Sequence, residues 1–180
     1  LDDESRKQLM TESSLDRNSE IHDRSGPALA VFFVSRIFLL LLFMPQFSDL
    51  QVYYEYAVQG VDLKRTPYKD FPIEYPPVSY WLMTVPRLAS TKAISEETAL
   101  DRSQLERFYG YYARGFRWLM FAFDLSALLL LRGIVRRRQP SQLSSATWGY
   151  VIATAVLGHL LYDRLDLGLL LLLLVWSYAR

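Results

Sequence analysis

Carboxylates, tyrosines and an arginine gather at two places where an apolar run meets a polar stretch. The first holds Asp49 and Tyr53, then Glu74 and Tyr75 ahead of Pro76 and Pro77; the second holds His159, Asp163, Arg164 and Asp166. A carboxylate at such a boundary can serve as a general base, taking the proton of an attacking hydroxyl while a leaving group departs from the opposite face. An arginine beside it suits phosphate or carboxylate oxygens, because its planar fork engages two at once. Each group also has a plainer reading. Asp49 after Ser48 would cap a helix start and complement its dipole. Glu74 to Pro77 would be a stiff helix entrance with Tyr75 as an interface anchor. His159, Asp163 and Asp166 are four and three residues apart. They share a face, as metal ligation would require, only if one helix runs through them; otherwise they form a polar turn.

Apolar blocks must position these residues. Pro27 to Pro45 is long enough, at about 1.5 Å per residue, to cross a hydrocarbon core roughly 30 Å thick, which puts Asp49 at the water boundary. Ala113 to Leu131, Leu143 to Tyr162 and Leu165 to Tyr178 form further blocks, the last with an unbroken run of leucines. The fold class expected is an all-α polytopic membrane protein. Its helices are expected at about 27–45, 113–131, 143–162 and 165–178, with an outer loop over about 46–112.

Arg132, Arg136, Arg137 and Arg138 follow the second block and place that end in the cytoplasm, so the Asp49 loop and the Asp163 to Asp166 turn face outward. Pro76 to Pro86 is too short to cross and reads as an interfacial or re-entrant helix. Within the loop, Ser48 and Gln51 have capping-box spacing, and Tyr53, Tyr54, Tyr56, Ala57 and Val58 are expected on a membrane surface. Pro67, Tyr68 and Asp70 suggest a turn, and Lys92 to Glu106 a soluble amphipathic segment. Arg36 and Asp124 lie deep in their blocks. Either they pair, or Arg36 snorkels and Asp124 faces helices outside this chain.

A net charge of +1 over 180 residues gives no footing for nucleic-acid binding, and the absence of cysteine excludes disulfides and thiolate metal sites. Residues 1–26 are polar, charge-mixed and poor in aromatics, and read as a disordered cytoplasmic tail followed by an anchor, not a signal peptide. A first residue other than methionine and an end directly after an apolar block suggest an N-terminal portion of something larger.

The ordered set FSDLQVYYEYA, TPYKD, EYPPVSYWLMTVP, FRWLMFAFDLSALLLL and YDRLD resembles the N-terminal half of the GT-C superfamily glycosyltransferases. The likeness is to the polyprenol-phosphate-mannose-dependent family 87 enzymes and, more distantly, to the catalytic subunit of GPI mannosyltransferase I. It runs from about Pro27 to the end of the chain. It implies a GT-C-like N-terminal helix module whose long outer loop carries juxtamembrane helices. It also implies a polyprenyl-phosphate-sugar donor, a lipid or glycan acceptor outside the cytoplasm, and Asp49 as base. Tyr53, Glu74, Tyr75, Asp163, Arg164 and Asp166 are the residues expected to hold substrate. The setting is a multi-pass integral membrane protein of a bacterial cell membrane, favoured over the endoplasmic reticulum. The family often has two acids flanking one position, where this chain has Asp49, Leu50 and Gln51, which weighs against a paired-carboxylate metal site. No cofactor is expected, with a metal the less favoured alternative and Arg164 supplying positive charge instead. Rival readings are a non-catalytic polytopic membrane module and a transporter fragment.

Overall fold

The computed structural model describes residues 25–42, 49–89, 102–158 and 160–179, with the side chains of 42 and 102–107 excepted. These residues are mostly helical, the loop over 63–76 being the main exception, and no strand occurs among them. In chain order the helices are α1 (Gly26–Leu42), α2 (Asp49–Ala57), α3 (Pro77–Leu88), α4 (Arg102–Arg138), α5 (Leu143–Leu157), α6 (Leu160–Asp163) and α7 (Asp166–Ala179). A wide π-type turn, Val58–Asp62, extends α2, and a 3₁₀ turn, Pro140–Gln142, joins α4 to α5. The segment Lys92 to Glu106 and the Ser48 cap fall wholly or largely outside the described residues.

The long helix α4 organises the rest, packing along α7, α5, α3 and α2. Its apolar centre is the block Ala113 to Leu131, but the helix continues well beyond both ends. The flanking residues are charged yet good helix formers, so hydropathy marks only the part that needs an apolar environment. Arg136, Arg137 and Arg138 occupy the last turn, where they complement the dipole, and Pro140 prevents further winding. Among the described residues one helix, Phe108–Arg138, is long and apolar enough to cross a membrane. The helices Gly26–Leu41 and Asp166–Ala179 are apolar but shorter.

The third expected block, Leu143 to Tyr162, divides differently from its apolar pattern. Gly158 sits at φ 54° and ψ −129°, a backbone state open in practice only to glycine, and it ends α5. The four-residue α6 follows, and a new helix starts at Asp166. The continuous face that His159, Asp163 and Asp166 would need is therefore interrupted. His159 itself lies outside the described residues.

The main core gathers Leu50, Tyr53, Tyr54, Ala57, Met83, Tyr112, Phe116, Met120, Tyr162 and Leu167 around α4. This corrects the expected surface placement of Tyr53, Tyr54, Ala57 and Val58, all of which are buried. The reason is aromatic: the Tyr54 ring lies 5.1 Å from Tyr112 and the Tyr53 ring 5.6 Å from Phe116, both on α4. Each such ring removes a large apolar area from solvent and pairs with its neighbour's quadrupole.

Arg36 and Asp124 do pair. Both are fully buried, with Arg36 Nε 2.8 Å from Asp124 Oδ2. The phenols of Tyr150 and Tyr162 donate to Asp124 Oδ1 and Oδ2 at 2.6 and 2.8 Å, and a second arm of Arg36 donates to the Thr154 hydroxyl. The guanidinium also lies 4.5 Å above the Phe32 ring. This polar cluster joins α1, α4, α5 and α6.

Candidate active site

Asp49 is the first residue of α2, where its carboxylate complements the helix dipole. One turn on, Tyr53 falls on the same face. The Tyr53 ring is buried between Phe116 and Tyr75, meeting the latter edge-on at 5.3 Å. Burial pushes the Tyr53 hydroxyl well above the usual tyrosine range, with the Tyr75 hydrogen bond and the Asp49 charge adding to it. Tyr53 is thus a neutral phenol at physiological pH, able to donate or accept one hydrogen bond and nothing stronger.

Arg164 comes to this face from the turn between α6 and α7. Its Nε lies 3.8 Å from Asp49 Oδ2 and 3.5 Å from Asp166 Oδ2. All three side chains are well exposed, at 56% for Arg164, 45% for Asp49 and 71% for Asp166. Long, solvated pairs of this kind contribute little to stability. Their consequence is a cation between two carboxylates, open to a ligand from outside.

Asp163, expected beside Arg164, points the other way. It is 3% exposed, and its Oδ1 takes hydrogen bonds from Arg117 Nε and Nη2 at 3.1 and 2.9 Å. Its Oδ2 has no donor among the described residues. Glu74 is exposed, with no contact to Asp49 given by the structure, while Tyr75 is held through its carbonyl by the Tyr68 hydroxyl at 2.7 Å. The structure therefore brings together Asp49, Tyr53, Tyr75, Arg164 and Asp166, and sets Asp163 behind them, while Glu74 joins the group by no hydrogen bond or ion pair among the described residues.

The turn expected at Pro67 to Asp70 closes where Asp70 accepts the Thr66 amide at 2.7 Å. Two further ion pairs, whose partners are not legible in the sequence pattern, support the site. Arg117 is the buried partner of Asp163, and a cation inside an apolar block is itself the signal that a partner is needed. Arg87 grips Asp62 with both arms, at 2.6 and 2.7 Å, locking the end of α3 to the turn after α2. Among the described residues no three acidic or histidine side chains converge as metal ligands.

No family model, curated protein or solved structure matches this chain.

Proposed function

We propose that the chain forms part of a multi-pass membrane glycosyltransferase that moves a hexose, with mannose the first choice, from a polyprenyl phosphate to an extracytoplasmic lipid or glycan acceptor. The observation that carries this reading is the meeting of Asp49 and Arg164 across separate elements at one exposed site. Asp49 takes the acceptor hydroxyl's proton as oxygen attacks the anomeric carbon, and Arg164 neutralises the phosphate that departs with the polyprenyl chain. Tyr75, half-buried against the Tyr53 ring, supplies an aromatic face on which a sugar can rest.

Membrane insertion beyond α4 is supported by outward apolar side chains on the shorter helices. Val34 and Leu41 on α1, Val156 on α5 and Leu173 on α7 are 63 to 81% exposed, a girdle that water would not tolerate. The arginines closing α4 fit a cytoplasmic end. A bacterial cell membrane is the setting proposed with the family resemblance. A transporter is the weaker reading, because Arg36 and Asp124 are sealed in mutual and tyrosine hydrogen bonds.

The test is Asp49→Asn in the full-length protein, assayed with a lipid-phosphate-sugar donor in the presence of a chelator. Asparagine keeps the size and capping ability of aspartate but is no base, so transfer should fall by about 10²- to 10⁴-fold while insertion and donor binding persist. Undiminished transfer in the variant removes Asp49 from the role. Loss of unmodified activity to the chelator replaces Arg164 by a metal.

A further inference from the structure

One face of α3 carries Val78, Trp81, Val85 and Leu88, all exposed and spaced by three, four and three residues, which makes a single stripe. The other face, with Tyr80, Met83, Thr84 and Arg87, is buried against the protein. A helix apolar on its outer face as well needs a second apolar environment there.

Beside the stripe lies a cavity of about 340 Å³, lined by Gly60, Lys64, Arg65, Tyr80, Trp81 and Leu88 among others. Trp81 and Leu88 belong to both features, so stripe and cavity are continuous. Lys64 is exposed and held at φ 56°, a left-handed state that costs a lysine energy. The amides on either side of it fix the turn, Leu63 donating to the Val58 carbonyl and Arg65 to that of Gln59, both at 3.1 Å. The Arg65 side chain is steadied by Gln59 Oε1 at 2.8 Å. Two cations are thus set at the rim of an aromatic cavity that opens onto an apolar stripe.

We propose that this cavity receives the phosphate headgroup of an anionic bilayer phospholipid, with Lys64 and Arg65 on the phosphate and an acyl chain along Trp81, Val85 and Leu88. Basic residues over an interfacial apolar helix are the combination that anionic lipid surfaces favour. The inference rests on the membrane placement above and is independent of the transferase chemistry. The glycosyl donor is not the occupant, because Gly60 lies eleven residues along the helix from Asp49, or about 16 Å at the α-helical rise. A donor's phosphate must sit directly beside the sugar that Asp49 serves.

Trp81 can report on its own cavity. In the whole chain carrying W118F, W148F and W176F, reconstituted in bilayers, brominated phosphatidylglycerol should quench Trp81 at lower mole fraction than brominated phosphatidylcholine. Each basic residue near an anionic surface is worth about fivefold in binding, so a preference of about 10- to 30-fold is expected. K64N/R65Q should abolish it, asparagine being chosen because it tolerates the left-handed backbone. Equal quenching by the two lipids, or a preference that survives K64N/R65Q, overturns the proposal. So does displacement of the brominated phosphatidylglycerol by stoichiometric polyprenyl phosphate, which gives the cavity to the donor. A companion chain retaining Trp118 alone, on the long apolar helix, separates the two levels. Quenching of Trp118 with none of Trp81 rejects the lipid site and keeps the membrane placement, whereas quenching of neither rejects both.

Discussion

Asp124 accepts hydrogen bonds from side chains on three other helices, those of Arg36, Tyr150 and Tyr162. With Arg36 equally buried, the pair has no water to fall back on, and removing one partner strands the other charge. Asp124→Asn should therefore cost about 3 to 5 kcal/mol in detergent-induced unfolding, and Arg36→Met a similar amount. The double variant R36M/D124L should cost clearly less than their sum, since no charge is left unpaired. A double variant no better than the worse single one would show that the two residues do not act as a pair. Tyr54 is the opposite case. Its hydroxyl is buried without a hydrogen-bond partner among the described residues, and burial pushes it up to about 12 from the ordinary 10.0. A folded-state value above the unfolded one means that the folded protein holds its proton longer. The contribution to stability is complete below pH 10 and declines as pH rises toward 12. Tyr54→Phe should remove that alkaline decline and leave neutral-pH stability equal or higher by about 1 kcal/mol. Denaturant titrations at pH 8 and pH 11 compare the two directly.

Between elements, the contact of the π-type turn with α3 has the tightest tolerance. A Cβ on Gly60 would stand 1.7 Å from the Tyr80 hydroxyl and 2.9 Å from Cζ, so the ring occupies space that only glycine leaves open. Gly60→Ala should destabilise by about 1 to 3 kcal/mol despite alanine's better helix propensity. Its cost should shrink when Tyr80 is also cut to alanine, and a strictly additive pair would show that the ring relaxes freely. The Asp62 and Arg87 clamp lies at the same junction, with both side chains almost wholly buried. It connects the base of α3 to the helix that begins with Asp49. The orientation of the candidate base and the shape of the basic cavity thus depend on one junction.

For the whole molecule, the proposed topology puts the α2 to α3 loop and the α4 to α5 turn on opposite sides of a bilayer. The chain contains no cysteine, so single reporters can be introduced into an already suitable background. Lys69→Cys and Ser141→Cys both fall at exposed positions. An impermeant maleimide added outside intact cells should label the first and spare the second. Labelling of both from one side would end the topology, and with it the extracytoplasmic placement of Asp49 and Arg164.

Helical character, the apolar blocks and the charged end of α4 are written in local composition and could be read without coordinates. So could the need of Arg36 and Asp124 for partners, because a charge among apolar residues states its own deficit. Which partner answers is a different matter. Asp163 and Arg164 are neighbours in the chain, yet one turns inward to Arg117 and the other outward to Asp49. That division follows from the break at Gly158 and the restart at Asp166, which set the direction of each side chain. Tyr53 and Tyr54 carry the composition of an interfacial helix, but Tyr112 and Phe116 on α4 draw them into the core. Burial of this kind is decided by which faces meet across distant segments. Periodicity along one segment contains the face and not its partner, so the tertiary structure alone made the candidate site.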